Sequence, residues 1–253
     1  MKVALCLSGQ TLTFDKCWPT MKKYLVEPLN ADVFCNVCND KDIYKIIPFI
    51  KDFTYLTITS DIELFIPFEF RQFVNDSIIN QKILQQLLYV HRCNENKREM
   101  EGLLHKRYDV VIRSRMDLFF ESGIETNIKS GIYFPIFGNE GGFSDRFAFG
   151  PSNLMDIYSV RINSLKKSAA LIWNPEQELK VFIEENTKIP HFRSNVLFYR
   201  LKEKDGMYHT MLSDVVIDVD SYDKGICGNF KFLKNLDKIE QIKKANHIIE
   251  VDI

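Results

Sequence analysis

Between Tyr108 and Phe120 the chain reads Tyr-Asp-Val-Val-Ile-Arg-Ser-Arg-Met-Asp-Leu-Phe-Phe, so Arg113, Arg115 and Asp117 recur at every second position inside an apolar run. In one buried β-strand that period puts all three on one face, with Val110, Ile112, Met116, Leu118 and Phe120 on the other. Charges embedded this way must be paired, bound to a ligand or open to water at a cleft, because burying them unpaired is prohibitive. A structural ion pair meets that requirement. So does a diphosphate: two guanidiniums bind its oxygens directly, and the carboxylate can hold a divalent cation, Mn2+ or Mg2+, that neutralises it.

Two other places have chemistry-bearing types. Ser8-Gly9-Gln10 closes the apolar run from Lys2 to Leu7. A glycine turn at the carboxyl end of a strand lets backbone amides come close to a ligand, although the same residues also make an ordinary strand-to-helix turn. Asp145 follows the glycine-rich loop from Gly138 to Gly142 and precedes an apolar stretch. It can orient an acceptor hydroxyl or act as a general base, or it can cap a turn and pair with Arg146. Glu176 and Glu178 fall at the start of an expected helix, where acids complement the helix dipole. Cys35 and Cys38 form a C-x-x-C without the second pair a zinc site needs, and on a strand they face opposite sides. The five histidines show no metal-ligand spacing. No Walker A, G-x-G-x-x-G or G-x-S-x-G element occurs, which argues against a P-loop NTPase, a standard dinucleotide enzyme and an α/β-hydrolase.

The elements that must position these residues follow from periodicity. A buried strand over Lys2 to Leu7, a helix from Asp15 to Leu25 and a strand from Ala31 to Val37 make a βαβ opening. In that helix Asp15 is placed to cap and Pro19 to sit in the first turn. A short helix over Asp42 to Ile50, broken near Pro48, precedes a strand from Phe53 to Thr59. The longest helix spans Asp76 to Lys106: Ile79, Ile83, Leu87 and Val90 share one face, Gln81, Gln85 and Gln86 lie off it, and the charged half from Asn94 reads as solvated. After the Tyr108 strand come a short strand from Gly131 to Pro135, the run from Asp145 to Gly150, helices over Asn153 to Leu165 and Pro175 to Glu185, and a strand from His191 to Leu201. From Gly206 onward no topology can be assigned. The pattern predicts an α/β domain with a mixed, mostly parallel sheet flanked by helices, whose ligand sits beyond the carboxyl ends of the strands.

Composition narrows the classes. Hydrophobic residues make up 45% and charged residues 26%, with 33 basic against 34 acidic side chains, as in ordinary folded proteins. A net charge of -1 gives no chain-wide basic field for nucleic acid. The apolar run from Val3 to Leu7 is too short for a membrane span and lacks the flanks of a signal peptide. Six cysteines, several inside apolar runs, fit reduced thiols. The expected location is a cytoplasm.

Four stretches together resemble a group of GT-A-type glycosyltransferases related to enzymes of surface-polysaccharide clusters and of some large DNA viruses. They are Lys2-Val-Ala-Leu-Cys-Leu-Ser-Gly-Gln10, Ala31-Asp-Val-Phe34, Tyr108-Asp-Val-Val-Ile-Arg-Ser-Arg-Met-Asp117 and Ser144-Asp-Arg-Phe-Ala-Phe-Gly150, and the likeness covers about the first 160 of the 253 residues. The resemblance implies a GT-A, Rossmann-like fold in a single domain over residues 1–253, with a nucleotide-sugar-binding half (1–120) and an acceptor-binding half (121–253). It implies transfer of a hexosyl or pentosyl group from a nucleotide-diphosphate sugar to a carbohydrate hydroxyl, in glycan or surface-polysaccharide synthesis. In GT-A enzymes an Asp-x-Asp at a strand end binds the metal and the diphosphate. Here Arg115-Met-Asp117 stands in its place, so the resemblance makes Asp117 the metal ligand, and Asp117 and Asp145 the catalytic acids. Ser8, Gly9, Gln10, Arg113 and Arg115 then contact the donor. Leu12 stands where the group often has an arginine, and the arginine in the first acid's place leaves metal dependence open. Two other readings stay open at this level: a non-catalytic nucleotide- or carbohydrate-binding module, and a nucleotidyltransferase on a similar sheet.

Overall fold

The computed structural model describes residues 1–59, 78–139, 141–163, 174–204 and 207–210. Nearly all of the stretch from Gly206 onward, with Cys227, lies outside them, as does the end of the helix expected over Asn153 to Leu165.

Strand β1 (Val3–Gly9) has no charged residue, and a strand apolar on both faces is stable only inside a sheet covered on both sides. It pairs in parallel with β2 (Asp32–Cys38) on one side and β4 (Val110–Arg115) on the other. The full order of the seven-stranded sheet is β3-β2-β1-β4-β7-β6-β8, with β3 at Tyr55–Thr59, β6 at Ile132–Pro135, β7 at Phe147–Pro151 and β8 at His191–Ser194. Strand β7 runs antiparallel to β4 and β6, and the other pairings are parallel. A second sheet joins β5 (Leu118–Phe120), β9 (Phe198–Lys204) and β10 (Met207–Thr210). The α/β class with a mixed, mostly parallel sheet is therefore as the patterning predicts.

Alternation along the strands sorts the core into two layers. Leu5, Leu7 and Ile112 point to the side of α1 (Phe14–Met21), where Phe14 and Trp18 pack with Phe49 and Phe53. Ala4, Cys6 and Val111 point to the side of α2 (Ile78–Leu103), α3 (Ser152–Ser159) and α4 (Pro175–Val181), with Val90, Met155 and Leu179 among their neighbours. Cys35 belongs to the first layer and Cys38 packs with Tyr89 of α2, so the two thiols do face opposite sides of β2. No helix among the described residues is long and apolar enough to cross a membrane.

The structure corrects several expectations. The Tyr108 to Phe120 segment is not one strand: it turns at Met116 and Asp117, and β5 leaves for the second sheet to pair with β9. A two-residue turn preserves the parity of the apolar positions, so a period-two pattern cannot reveal it. The stretch from His191 to Leu201 is likewise two strands, β8 and β9, in different sheets. In α1 Thr13 occupies the N-cap without a side-chain cap bond, Asp15 lies in the first turn, and Pro19 sits inside the helix. A 3-10 helix over Ile43–Asp52 runs through Pro48 without a break.

The charged half of α2 is largely solvated as expected, with Glu95, Arg98 and Glu99 exposed, but its inward row is not. Lys97 is fully buried and donates from Nζ to Asp156 (2.7 Å), Ser152 (2.9 Å) and Glu101 (3.0 Å). Glu101 Oε1 in turn accepts from the Ser152 hydroxyl at 2.8 Å and the Tyr108 amide at 2.9 Å. The four-residue spacing of Lys97 and Glu101 puts both on the row facing α3, where each finds partners, and a fully paired network rigidifies the junction. It fixes the far end of α2 to the chain entering β4.

Candidate functional site

Parallel pairing of β1 and β4 sets Ser8 opposite Arg115, so the Ser8-Gly9-Gln10 turn and the Arg115-Met116-Asp117 turn end side by side at the carboxyl edge of the sheet. Gly9 has φ +118, a conformation that L side chains rarely adopt, and a Cβ there would meet nothing within 4 Å. Glycine is needed for the backbone path, and the space before it is open. The first turns of α2 cross over this edge with Lys82, Gln85, Gln86 and Tyr89, and β9 brings Arg200 from the second sheet. Together they enclose a cavity of about 330 Å³.

Asp117 lies at the back wall, 1% exposed, between two guanidiniums. Arg115 Nε donates to its Oδ1 at 3.1 Å and Arg200 Nε to its Oδ2 at 2.6 Å. Burial opposes ionisation, but Arg115 and Arg200 outweigh it and hold the carboxyl below the usual carboxylate range. The same pairing, joined by the nearby Asp145, keeps Arg115 firmly protonated despite its burial. The three side chains carry one net positive charge, which with Lys82 faces the cavity.

A second tier stands behind. Arg115 Nη1 donates to Gln86 Oε1 at 3.2 Å, and Gln86 Nε2 donates to the Asp145 carboxylate. Asp145 is 3% exposed and lies behind Gln86, outside the cavity wall. Burial raises the cost of its charge, and Arg115, Arg113 and Arg161 more than compensate, so this carboxyl too is held low. Arg113 lies on the α2 side of the sheet like Arg115, but it is buried and gives Nη1 to the Asp145 carbonyl. Its Nε and Nη2 have no hydrogen-bond partner among the described residues, and burial pulls its pKa below the usual value.

Of the residues singled out in the sequence, Ser8, Gly9, Gln10, Arg115 and Asp117 meet at one cavity, while Arg113 and Asp145 form the layer behind it. Glu176 and Glu178 do stand in the first turn of α4, where acids complement the helix dipole. Both are buried, Glu176 with Arg146 Nη2 at 3.4 Å and Glu178 with Arg161 Nε at 3.8 Å, and Asn174 supplies the cap of α4 by accepting from the Gln177 amide at 2.9 Å. Burial raises the Glu178 carboxyl against the pull of Arg161. Sequence reasoning missed Arg200 and Lys82. Gln86 had a signal: it lies off the apolar face of a helix that crosses the strand ends.

The residues present do not suit a divalent cation at Asp117. Both its oxygens already accept from guanidiniums, whose positive charge opposes a second cation at the same carboxylate. No three His, Cys, Asp or Glu come together among the described residues in a way that could hold a metal ion. What the arrangement offers is an open glycine turn and side-chain cations fixed by a buried carboxylate, a combination that binds a doubly charged oxyanion such as a diphosphate.

The chain belongs to a family described as a domain of unknown function (DUF7796), whose model matches residues 1–221 and so includes every strand of both sheets. No curated protein matches the sequence.

Proposed function

We propose that this member of the family is a GT-A-type glycosyltransferase, moving a sugar from a nucleotide-diphosphate sugar to a carbohydrate hydroxyl in glycan or surface-polysaccharide synthesis. The observation that carries the reading is the Arg115, Asp117, Arg200 cluster at the carboxyl ends of β1 and β4, next to the Gly9 turn. A mixed sheet with its ligand crevice at that edge supports it. The five described cysteines are all free and buried, which suits a reducing cytoplasm.

On this reading Ser8, Gly9 and Gln10 meet the nucleotide, and Arg115, Arg200 and Lys82 take the diphosphate oxygens. The bond from the anomeric carbon to the diphosphate breaks, and its electron pair leaves with the nucleoside diphosphate. The acceptor oxygen bonds to the anomeric carbon and releases its proton to solvent. Charge therefore grows on the diphosphate during the step, and guanidiniums already fixed in place stabilise that growth without reorganising. Asp117 positions the guanidiniums. Asp145 acts through Gln86 and Arg115, since it does not reach the cavity. Arg115, Arg200 and Lys82 thus neutralise the leaving group, and no step runs through a metal ion.

A thermal-shift screen of nucleoside diphosphates and nucleotide sugars, with and without Mn2+, tests it. A ligand at a hundredfold over its Kd adds about 2.7 kcal/mol, or about 5–10 °C for a chain of this size. One base should give that shift without Mn2+, and Arg115→Met and Arg200→Met should remove it. Turnover should release the nucleoside diphosphate. Release of pyrophosphate instead would make the protein a nucleotidyltransferase, binding without turnover would make it a binding module, and failure of every nucleotide to bind ends the reading.

A further inference from the structure

A second cavity of about 590 Å³ opens beside the first, with Gln10, Leu12 and Arg200 as common wall. Its remaining lining comes from Thr13, from the segment after β2 and from β9, and four cationic side chains, Lys41, Lys45, Arg200 and Lys202, face two acids, Asp42 and Glu203. Two of the cations are already engaged. Lys45 Nζ donates to the Leu12 carbonyl at 2.6 Å and pairs with Asp42 at 3.0 Å, and Arg200 holds Asp117. Lys41 and Lys202 are exposed, and among the described residues neither has an acidic partner within ion-pair distance. The local field is positive even with Asp117 in place: burial, then Arg200 and more weakly Arg115 and Arg146, disfavour the charged form of Lys202. In a chain of net charge -1 this is a local concentration of positive charge.

The chemistry of the wall decides what fits. A nucleobase site is mainly apolar with a few placed polar groups. Here Leu12, Leu201 and the exposed ring of Tyr44 are outweighed by the cations. A neutral sugar would gain nothing from two unpaired ammonium groups, whereas an oxyanion gains a charge-assisted bond to each.

We propose that this second cavity receives the acceptor, and that the acceptor is an acidic sugar whose phosphate or carboxylate is held by Lys41 and Lys202. The proposal rests on the first cavity being the donor site, since the shared wall at Arg200 then sets the acceptor next to the departing diphosphate.

Calorimetric titration with glucose 6-phosphate, glucuronate and glucose tests it, with pyrophosphate as the separate probe of the first cavity. Lys41→Ala and Lys202→Ala change exposed side chains, and unchanged melting temperatures confirm that the variants fold. At least one acidic sugar should bind, and which of the two does so tells phosphate from carboxylate. Glucose should bind about tenfold or more weaker, and each lysine variant should weaken the acidic sugar about tenfold while leaving pyrophosphate affinity intact. Arg115→Met should show the reverse pattern. The proposal is overturned if no acidic sugar binds at millimolar concentration, if glucose binds equally well, if the lysine variants leave acidic-sugar affinity unchanged, or if acidic sugar and pyrophosphate compete. Lysine-dependent binding of an acidic sugar with no binding of pyrophosphate would sink the donor-site reading alone.

Discussion

Replacing Asp117 by asparagine separates a carboxylate that organises guanidiniums from one that holds a metal. Asparagine keeps the size and one acceptor oxygen but loses the charge and gains a donor, so one of the two arginines then faces an amide N–H. In the native protein the carboxylate takes Arg115 Nε at 3.1 Å and Arg200 Nε at 2.6 Å. Removing one partner of a fully buried pair costs about 3–5 kcal/mol. Here Asp117 is buried, but the Arg115 and Arg200 side chains are 20% and 19% exposed at the cavity, so water screens part of the loss. The expected cost is about 2 kcal/mol, which for a chain of this length lowers the melting temperature by about 4–8 °C. Pyrophosphate brings negative charge to the same two guanidiniums, so it should stabilise Asp117→Asn more than the native protein, equally in EDTA and in Mn2+. Melting curves of both proteins with and without pyrophosphate measure this. An unchanged melting temperature, or a pyrophosphate shift that needs Mn2+ in the native protein and vanishes in the variant, refutes the reasoning and returns Asp117 to the metal.

Two other expectations come from the buried charges. Asp117 and Asp145 have folded pKa values below their unfolded ones, so the unfolded chain binds more protons in the window between them. The stability they contribute is complete above the ordinary aspartate value of about 4 and is lost as pH falls through the depressed native values. Denaturant midpoints measured down that range should decline, and Asp145→Asn should flatten the decline; an equal slope in the variant contradicts the assignment. Lys97→Met leaves Glu101 and Asp156 without their shared cation and should cost about 3–5 kcal/mol. Because Lys97 lies about 16 Å along α2 from Gln86, pyrophosphate affinity by calorimetry should not change, and a parallel loss of affinity would show that the staple and the cavity are coupled.

How much of this was legible in the sequence depends on the range over which each feature is decided. Strand alternation is local, and it placed Val110 and Ile112 on one face of β4 and Arg113 and Arg115 on the other; Val110 and Ile112 are found together in the layer beside α1. The meeting of Ser8 with Arg115 needed only that β1 and β4 be parallel neighbours. Arg200 was out of reach: its contact with Asp117 spans 83 residues, and nothing around it on β9 marks it as other than a surface arginine. The charge density of α2 after Asn94 suggested solvent, rightly for most of that half, and the burial of Lys97 stayed hidden because two of its partners, Ser152 and Asp156, sit on a helix 55 and 59 residues away.

The most consequential miss is the turn at Met116 and Asp117. In a continuous strand, residues two apart have their side chains about 7 Å from each other, parallel and separate, and an arginine in the first acid's place would only subtract one ligand. The turn instead folds Arg115 back onto Asp117 at 3.1 Å, while the new strand direction carries β5 to β9 and so brings in Arg200. The arginine therefore does more than replace an acid: it occupies an oxygen of the remaining one, and the partner strand occupies the other. A carboxylate committed in this way fixes two cations at the mouth of the Gly9 turn, and that arrangement is the physical ground for assigning the diphosphate to side chains.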